Sequence, residues 1–393
     1  VGGGGGARGG GVGAGLELLS TIGEDAEARG AVCEGHADAA HAAICKGLGW
    51  GGEEKFRVVG AAATALCNLS HDSKTGLKMF LADRVRRGEN TALEPLTSLL
   101  DTPLHLENVD EIPVRESALS ALANLLGVRD LRRAYVEDAK RLKALVSMLG
   151  NAGEACRLLG GAIPPACDAL FSKILGVVLN CSIETKAQPL IFEAKAVSSL
   201  VSLCKATGTS ETTRTRTLLL LRRACKFLST RKQLSKAFIA KGGVGASLAS
   251  IAKDASPKST NTIKEHVSSI LAHCARDVEG RLDILSFESS SGEDGLSLLT
   301  RALAPDATAA AVANASTVIS EMSVERSSLK PLGAAVGPLV AALRREGKGV
   351  EVKVMRKNAA VALAKLAKLP DNLANIRRLH GIELMYGIIA AEQ

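Results

Sequence analysis

Four residues of the kinds that bind soft divalent metals fall close together near the amino terminus: Cys33, His36, His41 and Cys45. A structural zinc site would place four such ligands tetrahedrally around one ion. Only Gly35 interrupts this alanine-rich stretch, and one straight helix cannot wrap four ligands around an ion. On a helix Cys33 and His36 point about 60° apart, and His41 and Cys45 lie on another side. The favoured reading is an alanine-rich helix without metal. Gly4-x-Gly6-x-x-Gly9 has the spacing of a dinucleotide fingerprint, but it follows no strand and sits in a glycine tract that matches any glycine spacing. Acidic pairs such as Glu53-Glu54 and Glu293-Asp294 lie in polar, loop-like stretches. The chain has no phosphate-binding loop, nucleophile elbow or H-E-x-x-H. The reading is therefore of a protein that is not an enzyme, with no cofactor and no metal.

The elements that carry these residues follow from composition. The 393 residues are 46% hydrophobic, 23% charged and only 3% aromatic, with a mean hydropathy of +0.15. This excludes a mainly disordered chain, and no apolar run is long enough to span a membrane. Ten aromatic residues are too few for a binder that stacks single-stranded bases. A core made of Leu, Ala, Val and Ile favours helices over sheets. Nine cysteines, an odd number without a C-x-x-C pair, sit mostly in apolar runs as small hydrophobes; this points to a reducing compartment. No positively charged start followed by an apolar stretch suggests a signal peptide, and a start at Val1 reads as a fragment or a processed chain.

Self-similarity sets the architecture. Small and apolar residues leading to Asn recur in Gly60-AAATALC-Asn68-LS, Glu116-SALSALA-Asn124-LL and Leu170-FSKILGVVL-Asn180-CS. Weaker copies mark Lys226, His273, Asn314 and Lys365. The marked positions lie 41 to 56 residues apart, on or just above the period of HEAT and armadillo repeats. A second phrase alternates with the first: Ala237–Asp254 is the clearest copy, followed by Leu190–Ala206, Leu329–Arg345 and Ile376–Ile389. Each pairs a short apolar helix with a longer amphipathic one across Gly or a small residue. Apolar positions such as Val197, Leu200, Val201 and Cys204 keep helical spacing. Polar links at Asp101–Pro113, Asn151–Ala166 and Asp254–Asn261 read as loops.

The combined pattern resembles the armadillo repeat, in which two short helices precede a third carrying A-L-x-N-L-S. The resemblance covers roughly residues 55–393 and implies an all-α fold, a right-handed α-solenoid of about seven three-helix repeats. Residues 1–15 read as a glycine-rich flexible segment and 16–54 as an irregular amino-terminal cap. The last repeat stops after its second helix.

The resemblance also supplies a candidate site. Armadillo proteins line the concave face of the array with the helix-three Asn row, whose amides both donate to and accept from an extended peptide. The corresponding groove residues are Asn68, Asn124, Asn180, Lys226, His273 and Asn314. Nuclear-signal receptors add a tryptophan row one turn earlier; here those positions hold Thr64, Ser120 and Gly176, and the single Trp50 lies outside every copy. Ten basic residues and no acidic one occupy 212–253, so the rest of the chain sums to −2 against the total of +8. The basic patch comprises Arg214, Arg216, Arg222, Arg223, Arg231, Lys232 and Lys236, and it suits an acidic partner. The expected function is a scaffold or adaptor gripping an acidic, extended or helical protein segment. The alternative is an electrostatic binder of nucleic acid or of an anionic surface through 212–253. The last copy, Val354–Met385, is similar to tetratricopeptide–armadillo assembly factors of ciliary dyneins. That similarity implies a chaperone-like role in the cytoplasm, near cilia or cytoskeleton, with the nucleus as the other compartment.

Overall fold

The structure is a computed structural model that describes residues 6–51, 54–71, 77–89, 91–101, 110–227, 257–286 and 295–392. The described residues are helical; they hold no strand, only one isolated bridge between Ala162 and Thr207. Two compact units divide the chain, Val1–Arg216 and Thr217–Gln393.

In the first unit the helices are α1 (Gly6–Glu24), α2 (Ala26–Gly35), α3 (Ala37–Leu48), α4 (Lys55–Leu69), α5 (Leu77–Arg86), α6 (Leu93–Leu100) and α7 (Glu111–Leu125). They continue with α8 (Arg129–Glu137), α9 (Ala139–Leu158), α10 (Pro165–Cys181), α11 (Gln188–Ile191), α12 (Ala194–Lys205) and α13 (Glu211–Ala224), which crosses the unit boundary. The second unit contains α14 (Pro257–Cys274), α15 (Val278–Ser286), α16 (Gly295–Ala302), α17 (Ala309–Met322), α18 (Val336–Arg344), α19 (Val350–Leu366), α20 (Pro370–Arg378) and α21 (Gly381–Glu392). Short 3₁₀ turns, Arg326–Ser328 and Pro331–Ala335, precede α18.

The repeating packing is that of three-helix units. Third helices stack on third helices: α1, α4, α7 and α10 in the first unit, and α14, α17 and α19 in the second. Second helices form a parallel layer, with α9 against α12 and α18 against α21. The apolar positions that recur at three and four spacing are the buried ones. Leu66, Leu69, Leu122, Leu125, Ile174, Val178, Val318 and Ile319 are fully shielded between layers. Aliphatic burial of this kind stabilises by roughly 1.5–3 kcal/mol for each large side chain, which is why few aromatics are needed.

Six of the third helices, α1, α7, α10, α14, α17 and α19, end by the same device. A side chain six residues after a carbonyl near the helix end reaches back to it. Arg29 donates to Gly23 O (2.7 Å), Arg132 to Leu126 O (2.9 Å), Gln188 to Ser182 O (2.8 Å), Arg281 to Ala275 O (3.2 Å), Ser328 to Met322 O (2.6 Å) and Asn372 to Leu366 O (3.3 Å). The last carbonyls of a helix have no partner inside it, so the start of the next repeat satisfies them.

Several local expectations change. A helix begins at Gly6, inside the glycine-rich segment, and residues 26–48 form two helices packed on α4 and α1 much as other repeats are packed. The Asn151–Ala166 link is helical as far as Leu158. The cause is packing: a Cβ on Gly153 would stand 2.6 Å from Ser199 Cα, so the bare glycine lets α9 run against α12. Likewise α7 begins at Glu111 and includes Pro113 in its first turn, where a missing N–H costs nothing. At the final turn His380, not glycine, takes the left-handed conformation (φ 56°). Gly381 is required for another reason, since a Cβ there would meet Ile376 Cγ2 at 2.9 Å and Val340 Cγ2 at 3.1 Å. The Ala237–Asp254 phrase lies outside the described residues.

Candidate functional site

The marked Asn residues occupy one register on successive third helices, two positions before the cap residue. Their side chains do a specific job. Asn124 Nδ2 donates to Cys67 O (3.2 Å), Asn180 Nδ2 to Ala123 O (2.9 Å) and Asn68 Nδ2 to Ser20 O (3.0 Å). Cys67 and Ala123 sit in the last turn of the preceding third helix, where carbonyls lack intrahelical donors; Ser20 lies one turn before the end of α1. Lys365 repeats the arrangement in the second unit, donating from Nζ to Ser320 O (3.0 Å).

A second set of rungs lies two turns earlier. Arg216 donates from Nη1 to Ser172 O (2.5 Å), Asn314 from Nδ2 to Glu265 O (3.4 Å) and Asn358 from Nδ2 to Ala313 O (3.2 Å). Each donor is seven residues before the first-register position of its own helix. Seven residues are nearly two turns, so both registers lie on the same side.

The two registers sort the expected groove residues. Asn68, Asn124, Asn180 and His273 fall in the first register. Asn314 belongs to the second, and the first-register residue of α17 is Glu321. Lys226 lies beyond the end of α13 and is exposed; helix-end hydrogen bonding puts Arg223 in the register instead. Sequence reasoning missed these assignments because the copy at Lys226 has no Asn to anchor the alignment, and the Asn of the Asn314 copy stands in the other register.

Each ladder amide gives one N–H to a carbonyl of the preceding repeat, and no hydrogen bond to Oδ1 of Asn68, Asn124 or Asn180 occurs among the described residues. On these half-buried residues the oxygens are acceptors without an internal partner, and Asn180 also keeps a second N–H beyond its rung. Around them lie Gly60, Ala61, Thr64, Ser117, Ser120 and Gly176, half-buried and without charge. Charges border this strip: Glu116, Lys173, and the Arg216 guanidinium, which lies against Gly176 (3.3 Å from where a Cβ would stand). Burial raises the Glu116 pKa, an effect opposed by the positive charge of Lys173.

The described basic residues have internal partners. Arg214 donates to Thr209 Oγ1 (2.9 Å) and Arg216 is the rung to Ser172. In the second unit Arg222 Nη1 lies 3.3 Å from His266 Nδ1 and 3.7 Å from Glu265 Oε1. Burial, then the Arg222 charge, lowers the His266 pKa to about 4, so the ring is neutral at pH 7 and accepts through Nδ1. Arg223 is half-buried, and Arg231, Lys232 and Lys236 lie outside the described residues.

The Cys33–Cys45 group does not converge. Helices α2 and α3 meet at His36, which ends one and begins the other. The single-helix expectation is thus corrected, because this junction is where the first two helices of a repeat turn. Cys45 Sγ and His41 Nε2 are 3.3 Å apart, and no three His, Cys, Asp or Glu side chains among the described residues are placed to share a metal. Burial raises the Cys45 thiol and lowers His41, which opposes thiolate chemistry.

This stacking of three-helix units with laddered third helices is the armadillo-type helical-repeat fold. A solved structure of UNC-45 from Drosophila melanogaster aligns with 91% of this chain at 15% identity and a TM-score of 0.53; the chain spans 44% of the length of that protein. A structure from work on the interaction between cadherin and beta-catenin aligns with 95% of this chain and 86% of its own at 12% identity, with a TM-score of 0.48. Neither a family model nor a curated protein sequence matches the chain. No helix among the described residues is long and apolar enough to cross a membrane.

Proposed function

We propose that the chain is a non-enzymatic protein-interaction scaffold that binds a segment of a partner protein along its helix-three face. The observation that carries this reading is the row of Asn68, Asn124 and Asn180 oxygens, each held in place by its own N–H···O=C rung. Fixed acceptors at repeat spacing suit the backbone N–H groups of an extended segment, and their pre-organisation lowers the entropy cost of binding. The small residues Gly60, Ala61, Thr64, Ser117 and Ser120 around them give the segment's backbone close access. Independently of that row, exposed Lys226 and the basic sequence of 212–253 suit acidic side chains of a partner. The similarity of Val354–Met385 to motor assembly factors makes motor-complex subunits the first partners to try.

Lys365 shows how to test this without unfolding the protein, because lysine in the same register still donates to the preceding repeat. A variant with Asn68, Asn124 and Asn180 all changed to Lys keeps the rungs and loses the acceptor oxygens. Affinity capture with nuclease-treated lysate should return specific proteins with wild type and lose them with this variant, at an unchanged unfolding midpoint. An unchanged protein set would remove the helix-three face as the site. Loss of all partners on nuclease treatment would favour nucleic acid instead.

A further inference from the structure

The second set of rungs places three charges on the helix-three face of the first unit. Arg216, Asn314 and Asn358 each donate to a carbonyl of the preceding third helix, at Ser172, Glu265 and Ala313. Each of these acceptors stands eight residues before the first-register position of its own helix. The same relation sets Lys173 of α10 over Glu116 of α7. Both residues are half-buried, yet their side chains close neither an ion pair nor a hydrogen bond with any described residue. The Lys173 charge is nonetheless felt across the face. Burial raises the pKa of Glu116 and of Cys67 on α4, and Lys173 opposes both shifts.

Arg216 is held differently. Its Nη1 donates to Ser172 O (2.5 Å) and to Ser172 Oγ (2.9 Å). The guanidinium lies against Gly176, where a Cβ would stand 3.3 Å from Nη1 and 3.5 Å from Cζ. The bare glycine thus seats it on α10. Nε and Nη2 make no hydrogen bond among the described residues, and no carboxylate there comes within ion-pair distance. Arg132 and Arg141, also half-buried, each hold a carboxylate: Glu184 at 2.8 Å and Glu94 at 3.1 Å. Burial alone lowers the Arg216 pKa. An arginine stays protonated in proteins, so this cation is drawn out of water without a counter-charge. That is unfavourable by itself and is relieved by an anion. Both positive groups belong to the surface of α10, since Lys173 is rooted one residue after Ser172 and Arg216 is tied to Ser172 itself.

We infer that Lys173 and Arg216 together bind one carboxylate, that of an Asp or Glu side chain in the partner's segment. This rests on the scaffold reading above, because the segment lies along the same helix-three face. Arg216 offers Nε–H and Nη2–H, a fork that matches a carboxylate, and Lys173 adds a point charge beside it. Glu116 sets the limit. A second negative group on the segment meets its carboxylate, so the site takes an isolated acidic residue. It disfavours the acidic run or phosphate backbone that the basic sequence of 212–253 suits by charge alone.

The test screens the full chain against a random library of peptides of about twelve residues, long enough when extended to cross the third helices of the first unit. Selected peptides are measured by fluorescence anisotropy and are expected to share one Asp or Glu. Changing that residue to Asn or Gln should weaken binding about tenfold or more, and amidating the peptide's carboxyl terminus should not. Lys173→Glu alters a side chain with no internal bond, and should exchange the selected acidic residue for Lys or Arg. Arg216→Gln keeps an N–H for Ser172 O and should weaken the acidic peptides at an unchanged unfolding midpoint. Glu116→Gln should admit peptides with a second acidic residue. Selected peptides without a shared acidic residue, or indifferent to both Lys173→Glu and Arg216→Gln, would overturn the inference. So would a need for the free carboxyl terminus, or displacement by a single-stranded oligonucleotide that Lys173→Glu abolishes. The variant with Asn68, Asn124 and Asn180 changed to Lys separates this inference from the reading it rests on. Peptides that need the Asn row but not the carboxylate overturn the inference alone. Peptides that need the carboxylate but not the row overturn the role of the row, and a screen that selects nothing overturns both.

Discussion

Asn180 and Ala123, 57 residues apart in sequence, are joined by a 2.9 Å hydrogen bond from the amide of one to the backbone carbonyl of the other. The same bond joins Asn124 to Cys67 one repeat earlier. A residue type that the sequence marks as a candidate ligand contact is thus a structural tie between repeats. The tie uses Nδ2 and leaves Oδ1 without a hydrogen bond among the described residues.

That division makes stability and binding separable at one position. Asn180→Ala removes the donor and leaves Ala123 O without it, at an expected cost of about 1–2 kcal/mol. Asn180→Lys should keep most of that stability, as Lys365 does in its own register. Denaturant midpoints for the two variants decide the matter, and equal losses would contradict it.

At Gly153 the argument is steric. Ala at this position sets a methyl against Ser199, backbone included, and overpacking of this kind costs about 1–3 kcal/mol. Ser199→Gly in the same chain should recover part of the loss by vacating Cβ and Oγ. Hydrogen exchange should localise the change to α9 and α12. A neutral Gly153→Ala would show that the two helices separate at little cost.

The pH dependence of the second unit follows from His266. Its pKa falls from the usual 6.5 to about 4 through burial and the Arg222 charge, so folding favours the neutral ring. Its contribution is fully present above pH 6.5 and is lost as the pH falls through about 4. His266→Gln keeps an acceptor for Arg222 without the titration. The fall in unfolding midpoint between pH 6.5 and 4 should be shallower in that variant than in wild type. Parallel curves would place the ring in contact with solvent.

How far the sequence determined this protein can be read from particular positions. The spacing of Leu66, Leu122 and Val178 relative to their Asn residues defined third helices, because apolar periodicity and the phrase after it are local properties. The aliphatic, aromatic-poor composition likewise defined the all-α class. At the Cys33–His36–His41–Cys45 group the single straight helix of the sequence reading gives way to two, since the turn at His36 depends on where α2 and α3 pack. Other features had no local signal. Arg223 and Glu321 share the ladder register with asparagines only because the helices end where they do, and a cap is fixed by the next repeat's side chain six residues on. Gly153 looked like a loop residue until α12 lay against it. Periodicity determined which residues face inward, because it is local; tertiary stacking alone decided which polar atoms are spent holding repeats together and which are left without an internal partner, because those neighbours are close in space and distant in sequence.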